Sequence, residues 1–191
     1  MNILAIDTTG KHLTVALKTK GEWNVVFNKQ CNLNHSVVIN KQIDDIVKQA
    51  GLSYADIDVC ACNVGVGSFT GIRVGIATIK GLCFASTKKL VSVNTFEILA
   101  YNTQEQVTAL VPDNRGFYCQ RFENGVAVDQ ALHIEQEPDD KVKIFFDNET
   151  DYTKNFVGLV DSKVEKGEFE QNLTPLYVRK SQAEENKWHN F

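Results

Sequence analysis

The amino-acid sequence predicts an α/β protein built on a mixed sheet with helices packed against it. Residues 2–27 alternate apolar and polar positions in three short runs divided by turns, as a β-meander does. The apolar period then lengthens to that of helices, with strand-like runs between them, and the second half of the chain opens on strands and turns again.

Residues 2–7 form a short apolar run that ends in Asp7, and Thr8-Thr9-Gly10-Lys11 supplies turn chemistry. Residues 12–18 place Leu13, Val15 and Leu17 on one face, and after Gly21 the positions Trp23, Val25 and Phe27 repeat the period of two. From Asn34 the apolar positions are Ile39, Ile43, Ile46, Val47 and Ala50, one stripe of an amphipathic helix with Asn34 as N-cap and Gly51 just past its end. Residues 58–64 read as a strand with Val59 and Ala61 on one face and Cys60 and Cys62 on the other. Gly65-Val66-Gly67-Ser68 then leads into a long helix over 69–86, followed by a strand at 90–93 and a helix at 95–102 capped by Asn94 or Thr95.

The second half predicts strands at 107–111 and 117–122 around a turn at 112–116, an Asn124-Gly125 hairpin into 126–134, and a strand at 142–146. No strong amphipathic helix is expected after that strand, and 135–143 and 148–154 read as polar loops. Ile6-Asp7-Thr8 and Pro112-Asp113-Asn114 echo each other, which points to two related lobes: residues 1–105, a stripped-down copy at 106–180, and a polar tail at 181–191 expected to be dispensable for folding.

Twenty Lys and Arg stand against 24 Asp and Glu, a net charge of −4, in a chain of 191 residues that is 43% hydrophobic and 23% charged. That composition is globular, and its acidic balance argues against unspecific nucleic-acid binding, which rests on neutralising phosphates. No apolar run reaches the roughly 18–20 residues of a membrane span, and the start has no basic region of the signal-peptide kind. Five cysteines, Cys31, Cys60, Cys62, Cys83 and Cys119, fit reduced thiols better than a disulfide framework. A cytoplasmic protein is expected.

Catalytic constellations are absent from the sequence pattern. His12, His35, His133 and His189 are scattered, and Cys60-x-Cys62 lacks a second pair for zinc. Ser68 is not in a nucleophile elbow, and its loop matches neither the Rossmann nor the P-loop spacing. No cofactor or metal ligand set is expected. Two features remain. Asp7 with Thr8, Thr9 and Gly10 either presents hydroxyls and amides to a phosphate or stabilises its own turn. The helix at 69–86 has only two charges, Arg73 and Lys80, and three glycines, Gly71, Gly75 and Gly81. Ile72, Ile76, Ile79 and Cys83 form one buried stripe, while Val74, Ala77, Gly81 and Phe84 carry small and apolar character around the rest. Such a helix is either central to the core or meets another protein with its second face.

The run Ile3-Leu4-Ala5-Ile6-Asp7-Thr8-Thr9, the run Gly65-Val66-Gly67-Ser68-Phe69-Thr70-Gly71-Ile72-Arg73-Val74-Gly75, Asp113-Asn114-Arg115-Gly116-Phe117-Tyr118 and Pro175-Leu176-Tyr177-Val178-Arg179 resemble the TsaB (YeaZ) family over most of the chain. Val66, where that family usually has Pro, and the short second half depart from its pattern. The resemblance implies an actin/Hsp70/sugar-kinase-like, also called ribonuclease-H-like, fold. The implied role is a non-catalytic scaffold or activator of the complex that forms N6-threonylcarbamoyladenosine next to the anticodon of tRNA. Its partners would be a TsaD-like catalytic subunit and a TsaE-like ATPase, with tRNA engaged only through the complex and a homodimer formed when the partner is absent. The catalytic paralogue carries V-N-H-x-x-x-H; here Val93-Asn94-Thr95-Phe96-Glu97-Ile98-Leu99 puts Thr95 and Leu99 at the two histidine positions, and neither can hold a transition metal. The implied subunit face is Arg73, Val74, Ala77, Lys80, Gly81 and Phe84, flanked by Val38, Gln42 and Asp45; Asp7, Thr8, Thr9 and Asp113 would be a vestigial nucleotide cleft. A small-molecule kinase or ATPase of the same fold, using Asp7 and Asp113 around magnesium-nucleotide, is the rival reading, and a protease ranks last.

Overall fold

The computed structural model describes residues 1–29, 31, 34–84 and 86–178. Arg179 and the polar tail at 181–191 lie outside the described residues.

Strands β1 (Ile3–Asp7), β2 (Leu13–Thr19) and β3 (Glu22–Asn28) form the meander, and helix α1 (His35–Gln49), strand β4 (Val59–Asn63), helix α2 (Phe69–Cys83), strand β5 (Lys89–Val93) and helix α3 (Thr95–Ala100) follow. The sheet order is β3-β2-β1-β4-β5. β1 pairs antiparallel with β2 and parallel with β4, so that Ile6 lies opposite both Val15 and Cys62. The period of two sorts this sheet into two faces. Leu4, Ile6, Leu13, Val15, Leu17, Cys60 and Cys62 point to one side, where Ile39, Ile43 and Ile46 of α1 and Ile72, Ile76 and Ile79 of α2 cover them. Ile3, Ala5, Ala16, Val59, Ala61, Val91 and Val93 point to the other.

What covers that second face corrects the sequence reading. A helix does follow the last strand: α4 (Thr153–Lys166) buries Phe156, Val160 and Val164 against the first sheet. Those residues recur at i, i+4 and i+8, but Gly158 in the middle and the polar stretch ahead of the helix obscured the stripe. Gly158 lets the Tyr101 ring pack close to the helix, since a Cβ there would lie 2.8 Å from that ring. Polar ties reinforce the docking: Asp161 accepts from Lys18 Nζ at 2.7 Å and Trp23 Nε1 at 2.8 Å, and Lys163 Nζ donates to Glu97 at 2.8 Å.

The second sheet holds β6 (Gln106–Asp113), β7 (Gly116–Glu123), β8 (Val126–Ala127), β9 (Leu132–Ile134) and β10 (Lys143–Phe145), in the order β10-β6-β7-β8 with β9 also on β7. β6 and β7 run closer to their turn than expected, pairing as far as Asp113 and Gly116. The expected strand over 126–134 is instead two short pieces. α2 stops at Cys83 and α3 at Ala100, each shorter than the sequence pattern indicated. Phe96, Leu99 and Ala100 of α3 pack against Val107, Ala109, Val111 and Phe122, joining the two sheets. After α4 the chain returns across the first sheet's side of the molecule: Glu170 N donates to the Leu90 carbonyl, Leu173 is fully buried, and Leu176 N donates to the Val64 carbonyl.

Candidate functional site

The end of β1 is a closed polar knot. Asp7 Oδ1 accepts from Thr9 N and Thr9 Oγ1, both at 2.8 Å, and Oδ2 accepts from Asn63 Nδ2 at 3.0 Å and faces His12 Nε2 at 3.5 Å. Burial pushes the Asp7 carboxyl up, but the bond and charge of His12, the Asn63 amide and the Thr9 backbone outweigh it and hold the pKa at about 2. For His12, burial lowers the pKa, yet Asp7 and the charge of Asp151 raise it above the ordinary value. The two ends of a single strand therefore do different work, the apolar end in the sheet and the acid in its own turn.

Asn63, at the end of β4, is the hub of this knot. Its Nδ2 also donates to Thr9 Oγ1 at 3.1 Å and to Thr95 Oγ1 at 3.2 Å, and its Oδ1 accepts from Gly65 N at 3.0 Å. Thr95 Oγ1 in turn donates to the Val66 carbonyl at 2.6 Å, and Leu99 is packed in the core between the sheets. Thr95 is thus a loop tether and Leu99 a core side chain. Sequence reasoning passed over Asn63 and His12; the only available signal was their position at or just past strand ends beside Asp7.

A cavity of about 440 Å³ is lined by Thr9, Gly10, Lys11 and Ser68 from the loops after β1 and β4, and by Pro112 and Phe146 beside the second sheet. Of the expected cleft residues, Thr9 lines it. Thr8 is buried, donating its hydroxyl to the Gly71 carbonyl at 2.7 Å, and Asp113 sits with His133 at 3.2 Å. Asp7 and Asp113 are each engaged by a histidine, and neither lines the cavity.

The second candidate is the outer face of α2. Gly71 and Gly75 turn inward: a Cβ on Gly71 would overlap the Thr8 carbonyl oxygen, and one on Gly75 would lie 2.5 Å from Thr8 Oγ1. Gly81 is different, with nothing within 4 Å of its Cβ position. Arg73, Ala77, Lys80, Gly81 and Phe84 are exposed, Phe84 to 85%, so α2 is not the central core helix. Val74 and Val38 are half-buried and pack against the core, while Gln42 and Asp45 are half-buried on α1, with Asp45 accepting from Lys41 Nζ at 2.5 Å. Two residues the sequence did not single out extend the face. Phe69 stacks on Tyr177 with centroids 5.3 Å apart, and the Arg73 guanidinium lies 3.8 Å over Phe69 while its Nε donates to the Tyr177 hydroxyl at 3.0 Å. The i, i+4 spacing of Phe69 and Arg73 was legible; the return of Tyr177 was not.

A sheet with three antiparallel strands followed by two parallel ones, joined to a second sheet that opens on the same strand–acid–turn, defines an α/β protein of the actin/sugar-kinase-like class. The YeaZ structure from Pseudomonas aeruginosa superposes over 92% of this chain and 99% of its own with a TM-score of 0.74 at 21% identity, which establishes the shared fold. In sequence the chain is similar to proteins of the TsaB (YeaZ) family. It is 34% identical over 135 residues to the tRNA threonylcarbamoyladenosine biosynthesis protein TsaB of Escherichia coli, covering 66% of this chain and 58% of that one. To TsaB of Haemophilus influenzae it is 32% identical over 100 residues, 52% of this chain and 42% of that one. The chain thus spans about half the length of the curated relatives it matches. Residues 26–115 also match the family model of TsaD, tRNA N6-adenosine threonylcarbamoyltransferase. No helix among the described residues is long and apolar enough to cross a membrane.

Proposed function

We propose that this chain is a non-catalytic subunit in the formation of N6-threonylcarbamoyladenosine in tRNA. It docks a TsaD-like catalytic subunit through the outer face of α2 flanked by α1, works with a TsaE-like ATPase in the cytoplasm, and meets tRNA only through the complex. In the absence of the partner, the same face pairs two copies. The observation that carries this reading is the row Phe69, Arg73, Ala77, Gly81 and Phe84, which leaves aromatic and small residues exposed along a full helix. The match of residues 26–115 to the TsaD family model supports a pairing of two related first lobes.

The kinase or ATPase reading is weaker because the Asp7 oxygens are already occupied by Thr9, Asn63 and His12, and Asp7 does not line the cavity. The test is Gly81→Leu, which adds a branched side chain where two backbones would meet, at a cost of about 1–3 kcal/mol. Dissociation constants for the TsaD-like subunit and for self-association should rise on the order of ten- to a hundredfold with a melting temperature no lower than that of the unmodified chain. Unchanged association, measured by sedimentation and pull-down on one preparation, places the interface elsewhere.

A further inference from the structure

The segment after α4 brings Tyr177 back to the start of α2, 104 positions after Arg73. Its neighbours fix it there. Leu176 N donates to the Val64 carbonyl at 2.9 Å, Leu176 and Val178 pack against the apolar clusters, and Tyr177 between them is left exposed. Two aromatic residues hold the Arg73 guanidinium: it stacks on Phe69 at 3.8 Å and donates from Nε to the Tyr177 hydroxyl at 3.0 Å. Among the described residues, no hydrogen bond or ion pair engages its Nη1 and Nη2. The only charges on α2 are Arg73 and Lys80, and it carries no acid. The neighbouring acids of α1, Asp44 and Asp45, are bonded to Lys48 and Lys41.

We infer that Arg73 is a carboxylate-binding residue of the docking face, taken by an Asp or Glu side chain of the TsaD-like subunit, with Tyr177 as its positioning residue. The inference rests on the docking reading proposed above. The two outer nitrogens of a guanidinium form a planar fork that matches the two oxygens of a carboxylate. Phe69 and Tyr177 hold that fork before a partner arrives, so Arg73 loses less side-chain freedom on binding than a free surface arginine would. A tRNA phosphate is the poorer occupant. Sites for nucleic acid gather many cations, whereas Arg73 and Lys80 stand seven residues apart, about 10 Å along the helix, in a chain of net charge −4. The fork also confers selectivity. The small and apolar row of α2 accepts many surfaces, but burying Arg73 without an acid opposite it is costly, which disfavours partners that bring none to the start of α2.

The test measures docking of the full chain to a TsaD-like subunit from the same organism. Arg73→Glu should weaken it on the order of a hundredfold, and Arg73→Lys about tenfold, because an ammonium keeps the charge and loses the fork. Tyr177→Phe keeps the ring against Phe69 and removes the acceptor, and should weaken docking less than Arg73→Lys. In that variant the Arg73 Nε proton, followed by NMR in the free chain, should exchange with water faster than in the unmodified chain, which separates positioning from packing. Each Asp and Glu of the TsaD-like subunit is then changed singly to Arg and paired with Arg73→Glu, and one change should restore binding. No rescue overturns the inference. It is also overturned if Glu184→Gln with Glu185→Gln tightens docking, which gives the fork to this chain's own tail, or if Arg73→Glu affects self-association alone, which gives it to a second copy. Gly81→Leu separates the two readings. If it weakens docking and Arg73→Glu does not, the α2 interface stands and the carboxylate site falls; if neither variant weakens docking, both fall.

Discussion

Asp7 and His12 face each other at 3.5 Å beneath the first turn, both nearly excluded from solvent. The carboxyl pKa falls from 3.8 to about 2 on folding, so its stabilisation is complete above pH 4 and is lost as pH drops from 3.8 through 2, by roughly 2 kcal/mol. The imidazole is raised, so its share is complete below about pH 6.5 and is lost as pH rises through its folded value. The pair is therefore most stabilising between about pH 4 and 6.5. Urea denaturation across pH should show the acid limb, and Asp7→Asn should remove it; in that variant the His12 titration followed by NMR should move to lower pH. An unchanged His12 titration would show that the two groups are not coupled.

Gly71 and Gly81 lie on one helix and should respond to alanine with opposite sign. An Ala at Gly81 meets nothing and gains the helix propensity that Gly lacks, up to about 1 kcal/mol. An Ala at Gly71 collides with the Thr8 backbone, which cannot yield as a flexible side chain would, and should cost about 1–3 kcal/mol. Equal effects of the two changes on the denaturation midpoint would contradict the packing described.

Phe156→Ala should destabilise the whole chain by about 3–5 kcal/mol, because Phe156 is buried against the first sheet. For the same reason residues 1–105 alone should not show a cooperative melting transition: without α4, Ile3, Ala5, Val59, Ala61, Val91 and Val93 lose their cover. A folded 1–105 fragment with native-like amide dispersion would refute this.

The isolated protein should not hydrolyse ATP with magnesium above a buffer blank. The Asp7 oxygens are already bonded to Thr9 and Asn63. Turnover that Asp7→Ala abolishes would instead favour the kinase or ATPase reading.

The first sheet was legible because its pattern is local. Leu13, Val15 and Leu17 share a face within one strand, and Ile39, Ile43 and Ile46 share a stripe within one helix. Of the two caps left open for α3, the structure uses Asn94, in a capping box with Glu97. The candidate face on α2 was legible for its charge-poor, glycine-containing composition, but not for which glycines turn inward. Gly71 and Gly81 look alike in the sequence; only the approach of Thr8, 63 residues earlier than Gly71, separates them. Asn63 and Tyr177 escaped notice for the same reason, since each acts on residues more than 50 positions away. α4 was obscured because its apolar residues match a surface on another part of the chain rather than a neighbour in sequence.

That placement sets an order of assembly on the ribosome. Trp23 meets Asp161 across 138 positions and Lys18 meets it across 143, so the β2–β3 hairpin is made well before its cover. During synthesis the nascent sheet has α1 and α2 on one side while its other side stays bare until residues 153–166 clear the exit tunnel. Contacts of such long range also slow refolding of the finished chain, because the loop must close before any of them forms. A pause or a premature stop ahead of α4 would release a chain with an apolar sheet face uncovered, a species prone to aggregate.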